Sequence, residues 1–314
     1  MFKWLILFLI IGFVIFSFYY CNNKELEVDN RELKTESKEP EVEKIDSVVS
    51  VKSIDSNISV AKKPAKIDME MLDVGQGLAF LIQAPKCAVM YDTGTPKSGI
   101  DTMLVNRKIT RLCSVILSHW HDDHAGGLPV LAKMVRDKKL KINRLLVSHD
   151  YRTKKKLRDS VLAEFEELNI PIYERHRGDT IGDFVPFTAR VLWSDKNDSS
   201  VTENSASMVV YLSGGKRSFL FTGDLEAKQE NKLLDLEPNL KVYALQVGHH
   251  GSRHSSSAKF LAQLKPQKAY ISAGKSNKYK HPHKETLERL NAIMPDSNIF
   301  RTDVLGSVKF EMGF

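Results

Sequence analysis

Short apolar runs alternate with loops and with helical patterns along most of the chain. Runs of branched and aromatic side chains that end in turn-forming residues predict strands. The predicted strands are 68–74, 78–83, 87–91, 114–117, 142–148, 187–193, 208–212, 218–222, 242–247, 269–272 and 308–311. Apolar positions at helical spacing predict helices at 127–137, 154–168, 225–236, 257–264 and 284–294. This alternation predicts an α/β domain, which we place at residues 67–314.

The N-terminal residues have a different pattern. Residues 4–21 contain no charged side chain, and at about 1.5 Å per residue they can cross most of the apolar layer of a bilayer. Phe18, Tyr19 and Tyr20 are too bulky for the usual cleavage sites, so we expect residues 1–21 to be an uncleaved anchor rather than a signal peptide. Cleavage would make the protein secreted, and lipidation of Cys21 stays open. The positive-inside rule places the rest of the chain outside the cytoplasm, in a periplasmic or extracellular location.

Residues 22–66 are charged or small and show no sustained apolar period, which predicts a disordered tether. Residues 24–46 carry nine acidic and five basic side chains, whereas the rest of the chain carries 41 Lys and Arg against 30 Asp and Glu. The domain is therefore more basic than the net charge of +7 indicates, which favours anionic partners. Three cysteines cannot build a disulfide framework, and their odd number leaves at least one thiol unpaired within the chain, so we expect a fold that does not depend on disulfide staples.

Seven of the ten histidines fall in three short clusters, each beside a predicted strand end. The first cluster follows strand 114–117 and has the pattern H-x-H-x-D-H, with His119, His121, Asp123 and His124. In a loop that leaves a strand, His119 and His121 can point the same way, and the turn that follows can bring Asp123 and His124 to a neighbouring point. Three imidazoles and a carboxylate at this spacing predict a site for two metal ions.

Two further strand ends extend this prediction. Asp224 follows the apolar strand 218–222 and is a candidate bridging ligand, although alone it could be a turn or a helix cap. His249 and His250 follow strand 242–247. Adjacent side chains point apart in extended backbone, so we expect His250 to bind metal and His249 to face the substrate. Ser252 in the same loop is a candidate for substrate binding.

The remaining candidates are supporting and catalytic residues. A buried carboxylate commonly holds the far nitrogen of a metal-binding histidine, and Asp73 and Asp92 are the candidates, with Asp92 preferred. The cluster H-P-H at residues 281–283 precedes a predicted helix, where capping alone could explain it. We nevertheless include His283, with Asp123 and His249, among the candidate catalytic residues.

In chain order the motifs D-V-G-Q-G, D-T-G, H-x-H-x-D-H-x-G-G, T-G-D, H-H-G-S and H-P-H resemble those of the metallo-β-lactamase superfamily. The resemblance covers about residues 67–314 and is nearest to the branch that contains the extracytoplasmic domain of ComEC-type competence proteins and the phosphorylcholine esterases. It implies an αββα sandwich with a two-metal site at one edge of the sheets. By the same resemblance, one metal is held by His119, His121 and Asp224, and the other by Asp123, His124, Asp224 and His250.

One position departs from the superfamily pattern. Many members supply a further histidine from the middle of the chain, where this sequence has Asn204 within a stretch similar to the N-x-x-S of ComEC-type proteins. The resemblance then implies an open coordination position on the first metal, with Asn204 beside it.

These observations predict a membrane-tethered metallohydrolase that cleaves phosphodiester bonds in DNA. The mixed His and Asp ligands suit two Zn²⁺ ions, with Mn²⁺ or iron as alternatives. Residues 133–158 contain eleven Lys and Arg, and Lys154, Lys155 and Lys156 are candidates for holding a phosphate backbone, unless the run is only a solvated surface.

Two other functions stay open at this point. The chain could hydrolyse a phosphodiester on an envelope glycopolymer, or it could be a DNA-binding component of an uptake assembly without catalysis. The single apolar span predicts that the chain is not itself a DNA channel, so a separate uptake channel protein is an expected partner.

Overall fold

The computed structural model describes residues 66–148, 156–194 and 202–313. The predicted anchor and the tether up to residue 65 lie outside the described residues. Within the described ranges, no helix has the length and apolar character needed to cross a membrane. Lys66 already belongs to the first strand, where it pairs with Gly313 of the last one.

The first sheet has eight strands. They are β1 (Lys66–Met71), β2 (Phe80–Gln83), β3 (Ala88–Tyr91), β4 (Arg111–Leu117), β5 (Lys141–Ile142), β6 (Leu145–Ser148), β7 (Ile172–Arg175) and β14 (Val308–Gly313). Their spatial order is β14-β1-β2-β3-β4-β6-β7, and β5 also pairs with β4. The β14, β1, β2 and β3 strands pair antiparallel, whereas β3, β4, β6 and β7 pair parallel.

The second sheet has six strands. They are β8 (Thr188–Trp193), β9 (Val209–Gly214), β10 (Arg217–Phe221), β11 (Ala244–Gln246), β12 (Lys268–Ile271) and β13 (Ile299–Arg301). Their order is β13-β12-β11-β10-β9-β8. The pairs from β10 to β13 are parallel, and β8, β9 and β10 pair antiparallel.

Helices cover the outer face of each sheet. The described helices are α1 (Ile100–Asn106), α2 (Asp122–Ala125), α3 (Leu128–Arg136), α4 (Lys156–Glu167), α5 (Ala227–Leu236), α6 (Ala258–Leu264), α7 (Lys284–Asn291) and α8 (Thr302–Leu305). Apolar residues of α1, α3 and α4 share one core with the first sheet, and those of α5, α6 and α7 share another with the second sheet. The architecture is therefore the four-layer αββα sandwich expected from the sequence.

Alternating side chains explain how each sheet serves two cores. On β10, Phe219 and Phe221 enter the core between the sheets, while Leu220 packs against the outer helices. On β2, Phe80 likewise points to the central core, where its ring lies 5.6 Å from Phe219 and 5.3 Å from Phe221. A fully buried side chain of this size contributes about 1.5–3 kcal/mol, so this aromatic contact helps to hold the two sheets together.

Some elements differ from the sequence expectations. The run 142–148 is divided between β5 and β6, and α1, β7 and β13 were not predicted. These three elements are short, and β7 has the exposed or half-buried pattern of an edge strand rather than an apolar run. Periodicity carries little signal over three to seven residues.

The described residues contain one disulfide, which the sequence analysis did not predict. Cys87 and Cys113 form a disulfide with an S–S distance of 2.10 Å. They are 26 residues apart in sequence, but the parallel pairing of β3 and β4 places Ala88 opposite Leu112, so the two cysteines become neighbours. The bond joins the two strands whose far ends carry site residues.

Candidate metal centre

Four loops with predicted site residues meet at one edge of the two sheets. Asp92 follows β3, His119 comes just after β4, Asp224 comes after β10, and His250 comes after β11. Because β3 and β4 are parallel, and β10 and β11 are parallel, the carboxyl ends of each pair lie side by side. Open α/β sheets bind ligands at this edge. The topology thus brings together motifs that are far apart in sequence.

The loop after β4 presents four of the predicted ligands. His119 is buried directly after the strand, and His121 precedes α2 in an extended conformation. The short helix α2 then carries Asp123 and His124. A Cβ on Gly126 would lie 2.2 Å from a backbone carbonyl oxygen of α2, so only glycine permits this tight turn.

A second glycine positions Asp224. Gly223 has a φ of +54°, and a Cβ there would lie 2.8 Å from the hydroxyl of Ser207, so glycine is required at this point. The backbone N–H of Asp224 donates to Ser207 Oγ over 3.0 Å. The carboxylate is nearly fully buried, with Oδ1 3.2 Å from His124 Nε2 and Oδ2 3.7 Å from His250 Nε2. Asp224 therefore lies between two candidate ligands, as a bridging residue must.

A left-handed turn directs His250 into the site. His249 and His250 have φ values of 52° and 54°. Residues other than glycine adopt this left-handed backbone region only under strain. His250 Nδ1 lies 2.9 Å from the carbonyl oxygen of Ser272, to which it donates. The other nitrogen, Nε2, lies 3.3 Å from Asp123 Oδ2 and is the atom of this ring that can bind a cation once it has lost its proton. The geometry favours His250 over His249 as a ligand.

Asp92 supports a ligand from behind. It is fully buried, with Oδ2 2.7 Å from His124 Nδ1. It also accepts hydrogen bonds from the backbone N–H and the hydroxyl of Ser118, each over 2.7 Å. A proton on His124 Nδ1 that is held by Asp92 leaves Nε2 free to bind a cation. Asp92 thus has the predicted position behind a metal ligand.

The donor atoms fit a divalent cation. The ligand atoms of Asp123, His124 and His250 lie within 4.8 Å of one another, and we call these residues the inner cluster. The ligand atoms of His119, His124 and Asp224 also lie within 4.8 Å of one another. The buried atoms His124 Nε2, Asp224 Oδ1 and His250 Nε2 have no hydrogen-bond partner. Such atoms are costly unless a ligand satisfies them, and imidazole with carboxylate is a common donor set for Zn²⁺.

His119 and His121 form the outer pair, in which His119 is buried and His121 reaches the solvent. His119 Nε2 lies 2.9 Å from His121 Nδ1. His121 is 39 % exposed, and its Nε2 lies 2.7 Å from Glu203 Oε2. The next residue, Asn204, has Nδ2 3.4 Å from His249 Nδ1 and a buried Oδ1 without a partner. Sequence reasoning found Asn204 but missed Glu203, whose acidic side chain beside Asn204 was the available signal.

Opposite charges share this buried space. Burial opposes ionisation of Asp224, but His124 and His250 outweigh it and hold the pKa of Asp224 well below its usual value. Burial likewise disfavours a charged His124, but Asp224 and Asp92 raise its pKa well above the usual value. Burial and the neighbouring His124 lower the pKa of His119. Burial also disfavours a charged His250, but Asp224 and Asp123 raise its pKa. A cation that binds here must therefore displace a proton from both His124 and His250.

Three predicted residues lie elsewhere. Asp73 is exposed and accepts a hydrogen bond from Gly75 N over 3.3 Å, so it forms a turn and supports no metal ligand. Ser252 is buried, and its hydroxyl accepts a hydrogen bond from the backbone of His254 rather than facing substrate. His283 caps α7, and its Nδ1 accepts the backbone N–H of Arg253 over 3.0 Å.

A cleft of about 1060 Å³ opens over the site. Its lining includes Asp123, His249 and Asn204. In the H-P-H motif, His281 lines the cleft and His283 does not. Lys278 and Tyr279 line it from the same loop. The sequence marked this motif as a cluster but gave no basis for choosing between its two histidines.

The predicted basic track is only partly present. Lys156 lines the cleft, while Lys154 and Lys155 lie outside the described residues. Other bases of the run have acidic partners within 4.0 Å: Lys133 with Asp137, Arg136 with Glu164, Arg144 with Asp183, and Arg158 with Asp159. These four bases therefore have acidic partners, and a phosphate-binding role for the run stays a prediction.

Curated proteins of two bacteria are similar to this chain. The chain is 32% identical over 263 residues to ComE operon protein 3 of Bacillus subtilis (strain 168), covering 77% of this chain and 33% of that protein. It is 34% identical over 249 residues to Recombination protein 2 of Haemophilus influenzae, covering 77% of this chain and 28% of that protein. The chain therefore spans about a third of the length of the curated relatives it matches.

Solved structures share the fold. The metallo-beta-lactamase fold protein YhfI from Bacillus subtilis matches with a TM-score of 0.54 and 11% identity, over 79% of this chain and 100% of that one. A diphosphatase from the PhnP family matches with a TM-score of 0.50 and 15% identity, over 79% of this chain and 99% of that one. The family model of the metallo-beta-lactamase superfamily matches residues 72–275. With this match, the sandwich and the His/Asp clusters at its edge, the chain belongs to the metallo-β-lactamase superfamily, as a hydrolase related to ComEC-type competence proteins.

Proposed function

We propose that this chain is a two-metal phosphodiesterase that cleaves DNA outside the cytoplasm and is held at the membrane by its N-terminal residues. The observation that carries the proposal is that buried ligand atoms of His124, Asp224 and His250, which make no hydrogen bond, converge beneath an open cleft lined by Asp224 and His250. When bound there, two divalent ions activate water and stabilise the charge that develops on the phosphate oxygens.

The residues of the chain would divide the remaining work. The inner cluster, Asp224 and the pair His119 and His121 would hold the ions, and Asp92 fixes the orientation of His124. His249 and Asn204 line the cleft beside them, so each can donate a hydrogen bond to a phosphate oxygen. The mixed His and Asp donors favour Zn²⁺, with Mn²⁺ or iron as alternatives.

The choice of DNA has two supports. Lys156 and Lys278 bring positive charge to the cleft, where they can hold an anionic backbone. In addition, two relatives are named Recombination protein 2 and Competence protein ComA, the latter from Neisseria gonorrhoeae.

A location outside the cytoplasm has a separate support. The disulfide between Cys87 and Cys113 is of a kind that persists in oxidising compartments and is rare in the reducing cytosol. It agrees with the orientation that the sequence predicts for an uncleaved anchor at residues 1–21.

The test is a hydrolysis screen with the full chain loaded with Zn²⁺ or Mn²⁺. Single-stranded DNA, duplex DNA, RNA, bis(p-nitrophenyl) phosphate and a glycerol phosphate polymer would be offered in parallel. We expect cleavage of DNA and of the small phosphodiester, and loss of both in His124→Ala. The matched control is Asp235→Asn, an exposed acid on α5, which should behave as wild type.

Other outcomes assign the site differently. Cleavage of the glycerol phosphate polymer without cleavage of DNA would point to an envelope glycopolymer as substrate. Binding of DNA by metal-loaded protein with no hydrolysis of any substrate would indicate a non-catalytic DNA-binding component.

A further inference from the structure

An exposed aromatic ring stands at the mouth of the cleft. Tyr279 is 51 % exposed, and it lines the cleft together with Lys278. Trp120 also lines the cleft, but only 3 % of its surface is exposed. Two large aromatic side chains therefore line the described cleft, and of these Tyr279 has the exposed ring on which a ligand can stack.

A series of nearly parallel rings connects this tyrosine to the metal centre. The ring of His281 lies 6.2 Å from that of His250, at an angle of 26°. The ring of Tyr279 lies 5.7 Å from that of His281, at an angle of 22°. Tyr279 is thus two ring spacings from the candidate metal ligand His250. A planar group that lies on Tyr279 would be three spacings away, with its plane continuing the same stack.

The loop that carries these rings is held in place by polar contacts. Asn277 Oδ1 accepts the backbone N–H of His281 over 3.0 Å, and Asn277 Nδ2 donates to the carbonyl oxygens of Gly274 and His281. Gln76 contacts His281 Nδ1 over 3.3 Å and accepts the backbone N–H of Gly274. The platform is therefore largely formed before any ligand binds, which lowers the entropic cost of binding.

The same loop carries unpaired positive charge. Lys275, Lys278 and Lys280 are exposed, and no described carboxylate forms an ion pair with them. Lys278 Nζ lies 4.9 Å from the centre of the Tyr279 ring. These charges repel a cationic headgroup such as choline and attract an anionic backbone. Lysines interleaved with an exposed aromatic ring are typical of surfaces that bind single-stranded nucleic acid.

We propose that Tyr279 is a stacking platform for an unpaired nucleobase of a single-stranded DNA substrate, with the lysines of its loop on the adjacent phosphates. The proposal rests on the proposed phosphodiesterase function and names the form of DNA that the site takes. In a duplex both faces of each base are covered by neighbours, so only an unpaired base can lie on this ring.

The test compares equilibrium binding of phosphorothioate oligonucleotides, which resist hydrolysis, to the Zn²⁺-loaded full chain by fluorescence anisotropy. A thymidine strand should bind on the order of 10-fold tighter than an abasic strand of the same length, since stacking contributes about 1–3 kcal/mol per base. Tyr279→Ala should remove that preference, and Tyr279→Phe should keep it. Tyr173→Ala is the matched control, because Tyr173 is 46 % exposed beside Arg175 but does not line the cleft.

Several results would overturn the platform. The first is that wild type binds the thymidine strand and the abasic strand with equal affinity. The second is that Tyr279→Ala, with native metal content and a native circular dichroism spectrum, binds the thymidine strand as wild type does. The third is that Tyr279→Ala loses as much affinity for a duplex of the same sequence as for the single strand. Hydrolysis of DNA and of bis(p-nitrophenyl) phosphate by wild type is measured on the same preparation. Failure of that hydrolysis rejects the proposed function, whereas intact hydrolysis with Tyr279-independent binding rejects the platform alone.

Discussion

The inner cluster and the outer pair use the same residue types but are built differently. In the inner cluster, His124 is held by Asp92 and His250 by a backbone carbonyl, and both imidazoles are at most 2 % exposed. In the outer pair His119 is equally buried, but His121 is 39 % exposed and is held by Glu203. Buried ligands that are oriented from behind bind metal more tightly than exposed ones. We therefore expect two sites of unequal affinity, with the weaker one open to substrate.

The largest effect is expected from Asp224, which lies between both groups of ligands. Asp224→Ala removes a carboxylate within 3.7 Å of two inner-cluster nitrogens and should lower the metal content from about two equivalents per chain to well below one. Metal analysis after gel filtration measures this, with Asp235→Asn as control. Full metal retention in Asp224→Ala would reject the bridging assignment and the comparison that depends on it.

A smaller effect is expected when only the support behind His124 changes. In Asp92→Asn the amide nitrogen can donate to His124 Nδ1, which moves the imidazole proton to Nε2 and blocks the atom that faces Asp224. Affinity of the inner site should fall about 10- to 100-fold. Calorimetric Zn²⁺ titration of chelator-treated protein measures this. The assignment fails if the tighter of two binding steps is unaffected.

The counterpart on the outer side is Glu203. Glu203→Ala removes the carboxylate 2.7 Å from His121 Nε2 and should weaken the looser metal step about 10-fold, while the tighter step stays as in wild type. Glu288→Ala, an acid in a surface pair with Lys284, is the matched control in the same titration. A change in the tighter step instead would show that the two groups of ligands are not independent.

The smallest effect on the metal centre is expected from the disulfide. Cys87 and Cys113 join β3 and β4 away from the ends that carry Asp92 and His119. Replacing both cysteines by serine should lower the free energy of unfolding by about 2–4 kcal/mol and leave both metal steps unchanged. Urea unfolding with and without reductant measures the first part. Loss of metal in the folded double variant would mean that the disulfide also positions the metal ligands.

The sequence was sufficient for the parts of the fold with a strong local signal. Long apolar strands such as β10 and helices such as α3 were predicted near their observed bounds, because burial imposes a period of two or 3.6 on the chain. Short or polar elements such as β7 were missed, because their place in the sheet comes from pairing with β6. The same reason hid the disulfide, since only the pairing of β3 with β4 brings its two cysteines together.

The site shows the same division. The identities of the candidate ligands, including His119, His124 and Asp224, followed from residue types and spacing, because metal donors belong to a small set of side chains. The sequence also favoured Asp92 as a support. The structure places three other candidates in local contacts: His283 at a helix N-terminus, Asp73 in a turn and Ser252 against a backbone N–H.

What only the tertiary structure decided is which side chains face the cleft. His281 rather than His283, Glu203 behind His121, and Tyr279 with its lysines all lie on loops. Loop side chains have no periodic pattern that fixes their direction. Their orientation depends on contacts with residues far away in sequence, such as Gln76 against His281, and those contacts exist only when the two sheets are packed together.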